Sequence, residues 1–126
     1  MKKASFEKIS PSDGSFFSLH YHDDHSLCHL DWWHFHPEFE IVYVPHGNGR
    51  RFVGHQAGVF SDGLLVLLGS NIQHNAFNFG FESEGYEEYV IQFRGGEVRG
   101  VGRFFSGVRE GECGFGPGPD RYGVWR

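Results

Sequence analysis

Two imidazoles and two carboxylates crowd into the run His34-Phe35-His36-Pro37-Glu38-Phe39-Glu40. Extended backbone puts side chains two positions apart on one face, so His34 and His36 point the same way, their backbones about 7 Å apart. Pro37 has no amide to donate, so the ladder is expected to break and bend there. Past the bend Glu40, Val42 and Val44 share a face. If that face continues the one bearing the histidines, Glu40 converges on them. Two imidazoles and a carboxylate suit zinc, iron, nickel or manganese, and a further ligand must come from another strand. His74 is the candidate. It follows the apolar run Leu64–Leu68 and the turn residues Gly69-Ser70-Asn71. A strand opening at His74 carries Ala76 and Asn78 on the same face, the first small enough to leave room for a ligand and the second able to hydrogen-bond it.

The elements that must position these groups read as strands. Between Ser5 and Phe93 short β-rich runs alternate with turn residues, which predicts an all-β sandwich or barrel. The runs are residues 15–22, 28–35, 39–44, 50–53, 64–68, 74–79 and 86–93, with Gly47-Asn48-Gly49 as a tight hairpin before Arg50. Leu64–Leu68 is apolar throughout and is expected to be buried on both faces. After Phe93 the text changes: residues 94–126 hold ten Gly and six Arg but no Lys. Residues 1–93 carry 5 basic and 12 acidic side chains, whereas residues 94–126 carry 6 and 4. The expected organisation is therefore a barrel over 1–93 and an irregular Gly/Arg-rich tail over 94–126, with residues 101–108 forming at most one short ordered piece.

At 126 residues the chain is one small domain at most, and its 14 Phe supply a compact core. A net charge of -5 gives no electrostatic footprint for nucleic acid, whose backbone is held by Lys and Arg, so no direct contact of this chain with nucleic acid is expected. The first residues lack the apolar run of a secretion signal, and Leu64–Leu68 is too short to span a bilayer. Cys28 and Cys113 show no zinc-binding spacing and fit a reducing compartment, so a cytoplasmic location away from membranes is expected.

Segment 34–47 reads H-x-H-x3-E-x6-G and so resembles the first cupin motif at every specified position. The second motif, G-x5-P-x-G-x2-H-x3-N, finds Gly63, His74 and Asn78 in register, with Gly69 in place of the proline and Asn71 in place of the middle glycine. The resemblance implies a double-stranded β-helix (cupin or jelly-roll) barrel. It also implies that His34, His36, Glu40 and His74 occupy the family's ligand positions for a divalent metal. A narrower resemblance, covering about residues 15–93, lies in the filler text: Trp33 to Ile41, Gly47 to Gly54 and Leu65 to His74 look like the N-terminal sensor barrel of AraC-type transcriptional regulators. That resemblance implies a non-enzymatic domain that binds a small polar effector, a sugar by family likeness, and forms homodimers. The family's helix-turn-helix half is not in this text, and the tail does not resemble the helices that usually follow the barrel. A truncated or frame-shifted copy is the expected explanation, and translating the other two frames past codon 93 tests it.

Trp33, Tyr43, Arg51, Gln73 and Asn78 are the expected effector-binding residues. Arg50 and Arg51 alternate faces, so only one can turn its planar fork inward, and Trp32 and Trp33 divide in the same way. Two alternatives stand beside this reading. One is a small metal-dependent cupin enzyme (a dioxygenase, isomerase or epimerase), with Glu38, Tyr43 and Gln73 as the nearest acid or base candidates. The other is a polar barrel interior whose imidazoles are satisfied by water and hydroxyls. His20, His22, His25, His29 and Cys28 read as a solvated hairpin, since the turn at Asp23-Asp24 scatters them.

Overall fold

Nine strands and one short 3-10 turn make up the described part of the chain, residues 3–10, 15–26, 33–94 and 124–125 of a computed structural model. The strands are β1 (Ser5–Phe6), β2 (Phe17–Asp23), β3 (His34–Phe35), β4 (Phe39–Val44), β5 (Gly49–Val53), β6 (Gln56–Phe60), β7 (Leu64–Leu68), β8 (Glu87–Phe93) and β9 (Val124–Trp125). The class is all-β, as the alternation of short apolar runs and turns predicts. One layer is a five-stranded antiparallel sheet in the order β2-β8-β4-β7-β9. In the other, β1 lies parallel to β3, and His74 bridges His34 on one side and Val53 of the β5–β6 hairpin on the other.

Strand alternation sets what lies between the layers. On β4, Glu40, Val42 and Val44 are buried while Tyr43 is exposed. Val42 stands between Val66 of β7 and Val90 of β8, and Val53 and Phe60 of the second layer pack into the same core with Phe77 and Tyr86. Each fully buried valine contributes on the order of 1.5–3 kcal/mol. The outer face of the large sheet is different: Leu19, Tyr21, Tyr43, Leu65, Tyr89 and Ile91 are all exposed. Among the described residues no helix is long and apolar enough to cross a membrane.

Three expected elements are corrected. Gly47-Asn48-Gly49 does not close a hairpin: β4 pairs with β7 and β8 whereas β5 pairs with β6, so this turn carries the chain from one layer to the other. Gly47 turns there at φ +90, and a Cβ on it would meet the Phe81 ring at 2.4 Å, so the corner needs glycine. The β7 run is not buried on both faces, because the sheet has one covered face and one open face. Leu64, Val66 and Leu68 point in, and Leu65 is 45% exposed. Residues 74–79 are not a strand. His74 makes a single bridge, after which the chain coils into the 3-10 turn Phe77–Gly80, with Phe79 N–H donating to the Ala76 carbonyl. That turn tucks Gly80 beneath the Arg50 carbonyl, where a Cβ would come within 2.2 Å.

Val124–Trp125 pairs antiparallel with Leu65 and Val66, so a piece of the tail returns to the sheet. The expectations on residues 28–32, Cys28, His29, Trp32, Cys113, residues 101–108 and the rest of the tail lie outside the described residues.

Candidate metal centre

His34 and His74 face each other across an antiparallel bridge, each backbone N–H donating to the other's carbonyl at 3.0 and 2.9 Å. Directly opposed residues share a face, so both rings turn inward, their centroids 4.3 Å apart. His36 follows β3 in the loop to β4, and its carbonyl is anchored by the Asn71 amide at 2.8 Å. Its ring meets that of His74 at 5.2 Å. One nitrogen from each of the three buried rings falls within 4.8 Å of the others, close enough to hold a metal ion. Glu40 reaches in from the opposite layer, with Oε2 at 2.9 Å from His36 Nε2 and Oε1 at 3.5 Å from His74 Nε2. The four groups picked out in the text therefore come together in space.

The second nitrogens are equally informative. His36 Nδ1 lies 3.1 Å from the Glu38 carbonyl and His74 Nδ1 lies 2.8 Å from the Ile72 carbonyl. A carbonyl only accepts, so each Nδ1 carries the proton and each neutral ring presents an Nε2 lone pair. Both lone pairs then face the Glu40 carboxylate, and His74 Nε2 is buried without a hydrogen bond. Lone pairs against an anion repel unless a cation sits between them. A proton is one such cation. Burial opposes a charge on His36, but the Glu40 hydrogen bond and the charges of Glu40 and Glu7 outweigh it and raise its pKa. Burial likewise opposes the charge on Glu40, yet His74 and His36 hold its carboxyl well below the usual carboxylate range. A divalent metal is the other cation that fits, displacing the protons as it binds. Gln92, opposite Glu40 on β8, donates its amide to Glu40 Oε2 at 2.8 Å and fixes the carboxylate's orientation.

His34, His74, Glu40 and Gln92 line one end of a cavity of about 200 Å³. Its far wall is built from residues that sequence reasoning passed over. Glu88 is buried on β8, accepts a hydrogen bond from the Tyr86 hydroxyl at 2.5 Å, and has His22 of β2 as its register partner. Burial raises the Glu88 pKa despite that hydroxyl. Exposed His20 and half-buried His22 line the cavity beside it, whereas His25 is exposed in the turn after β2. The signal was available: Glu88, Val90 and Gln92 alternate along the predicted strand 86–93 and so share one face. Glu7 also lines the cavity, and nothing in its sequence context marks it.

The five expected effector contacts are dispersed. Trp33 donates its indole N–H to Gln73 at 2.9 Å, and both line a separate groove of about 650 Å³ on the outer side of the second layer. Tyr43 lies on the outer face of the large sheet, stacked near Tyr89. Arg51 does turn inward and is buried, its guanidinium lying across Gly58, whereas Arg50 is exposed and paired with Glu82 at 2.8 Å. Asn78 sits in the 3-10 turn with its Oδ1 buried. No protein-family model matches the chain, and no curated protein matches it.

Proposed function

We propose that the chain is a small-molecule sensor barrel of the cupin type, resembling the sensor half of AraC-type regulators, and that it holds a divalent metal on His34, His36, His74 and Glu40. The observation that carries this reading is the convergence of His34, His36 and Glu40 with His74, more than thirty residues away in the text, beside a cavity that His34, His74 and Glu40 line. Zinc, manganese, iron and nickel all suit three imidazoles and a carboxylate. The effector is a small polar molecule, a sugar by the family resemblance. It enters the space between the metal end and Glu88 and acts by favouring one arrangement of the regulator over another. The chain itself makes no contact with nucleic acid, and it resides in the cytoplasm. The exposed apolar face of the large sheet supports a homodimer.

A second reading, a metal-dependent cupin enzyme, is favoured by one observation: buried Glu88 and neighbouring His22 put an acid and a base on the wall opposite the metal end. Metal analysis of the purified chain, followed by thermal-shift screening with divalent cations and small polyols, separates the two. A ligand that binds the native state at 100 times its Kd stabilises by about 2.7 kcal/mol. Stabilisation by metal and by a polyol that is recovered unchanged supports the sensor. Turnover of a small substrate supports the enzyme, and a melting curve indifferent to every cation and polyol overturns both.

A further inference from the structure

The N-terminal strand brings to the histidine cluster a carboxylate that neither motif contains. β1 pairs with β3, Ser5 N–H donating to Trp33 and Glu7 N–H to Phe35, each at 2.9 Å. This register lays Glu7 over the inward-facing histidines. Its Oε2 stands 3.8 Å from His34 Nε2 and 4.0 Å from His36 Nε2, between the two rings. Ligand atoms around a zinc ion at about 2.0–2.1 Å are spaced by about 3.0–3.4 Å. A rotamer adjustment of less than about 1 Å thus brings Glu7 into a common coordination sphere with both rings.

We propose that Glu7 is a further ligand of the metal, and that a bound divalent cation fastens the N-terminal strand to the histidine cluster. This inference rests on the metal reading above. Charge argues for it as well as distance. Three neutral imidazoles and one carboxylate leave a divalent ion with an uncompensated positive charge in a largely buried site, and a second carboxylate neutralises it. The strand is otherwise lightly held, since β1 spans two residues, both exposed, and Phe6 touches the barrel through an edge contact with Phe35. A ligand bond from Glu7 is the strongest attachment this segment can make.

The test uses the full chain and zinc. Affinity is measured by competition with a chromophoric chelator for the wild type, Glu7→Gln, the charge-matched surface variant Glu82→Gln, and His74→Ala. Hydrogen exchange of the Glu7 amide is followed with and without zinc. Glu7→Gln should weaken zinc binding about tenfold or more, Glu82→Gln should leave it unchanged, and zinc should slow exchange of the Glu7 amide in the wild type but not in Glu7→Gln. Zinc binding that is lost in His74→Ala but indifferent to Glu7→Gln overturns the role of Glu7 alone. So does an amide whose exchange in the unmodified chain ignores zinc, a readout that stands even if the variant folds poorly. A wild type that binds no zinc overturns the metal reading together with this one.

Discussion

The two ends of the cavity are built on opposite principles. At the histidine end, His36 and His74 have their Nδ1 protons committed to backbone carbonyls and Glu40 is steered by the Gln92 amide, so orientation and tautomer are set before any ligand arrives. At the far end, Glu88 is held by one hydroxyl, and its buried carboxyl resists ionisation. One end is therefore prepared for a cation and the other for a proton-bearing polar group. A cavity that differs in this way along its length would orient a ligand that entered it, because one reversed end for end would set its donors against a cation at the histidine end.

The sharpest way to break this contrast is to remove His74, the residue that joins β3 to β5 and completes the histidine set. His74→Ala should lower zinc affinity by more than about 100-fold, beyond the 10- to 100-fold cost of losing an outer partner of a ligand. Isothermal titration measures it. Affinity retained within tenfold would mean that the histidine end is not the cation site.

A smaller effect tests the far end. Because burial raises the Glu88 pKa, the folded state holds that proton more tightly than the unfolded chain does. Its contribution to stability is fully present below the unfolded carboxylate value of about 4.3 and is lost as pH rises through the folded value. Glu88→Gln keeps the neutral shape and removes the titration. Its melting temperature should fall less than that of the wild type as pH rises above the unfolded carboxylate value of about 4.3. Zinc affinity at a fixed pH should not change. Parallel pH profiles for the two chains would remove the distinction between the ends.

The same contrast explains what the text disclosed. The histidine end was legible because its ligands obey strand periodicity within 34–40 and their spacing matches a known motif. The all-β class followed from apolar runs punctuated by turns. Pairing between layers was not legible. Gly47-Asn48-Gly49 has the chemistry of a hairpin turn, yet whether β4 then pairs with β5 depends on β7 and β8, which compete for its edges from farther along the chain. Asn78 was misplaced for a related reason. Alternation of His74, Ala76 and Asn78 reads as one face of a strand over 74–79, but tight packing of Gly80 under Arg50 coils the backbone there. Glu7 reaches the site only through a two-residue parallel pairing, which leaves no periodic trace.

Tyr43 supplies the last and smallest test, because it sits next to Val42 of the inner core yet faces away from the cavity. Tyr21, Tyr89 and Tyr43 form a row across β2, β8 and β4, with ring centroids 5.1 and 6.2 Å apart. Such pairs are worth about 0.5–1.5 kcal/mol beyond their buried area, and a ring this exposed belongs at the lower end. Tyr43→Ser should therefore cost about 1 kcal/mol or less by denaturant unfolding, with zinc and polyol affinities within twofold of wild type. A tenfold loss of either affinity would show that the outer face reports on the cavity. That would tie ligand occupancy to the apolar surface on which a second copy of the chain would dock, and the two faces of β4 would then act as one element rather than two.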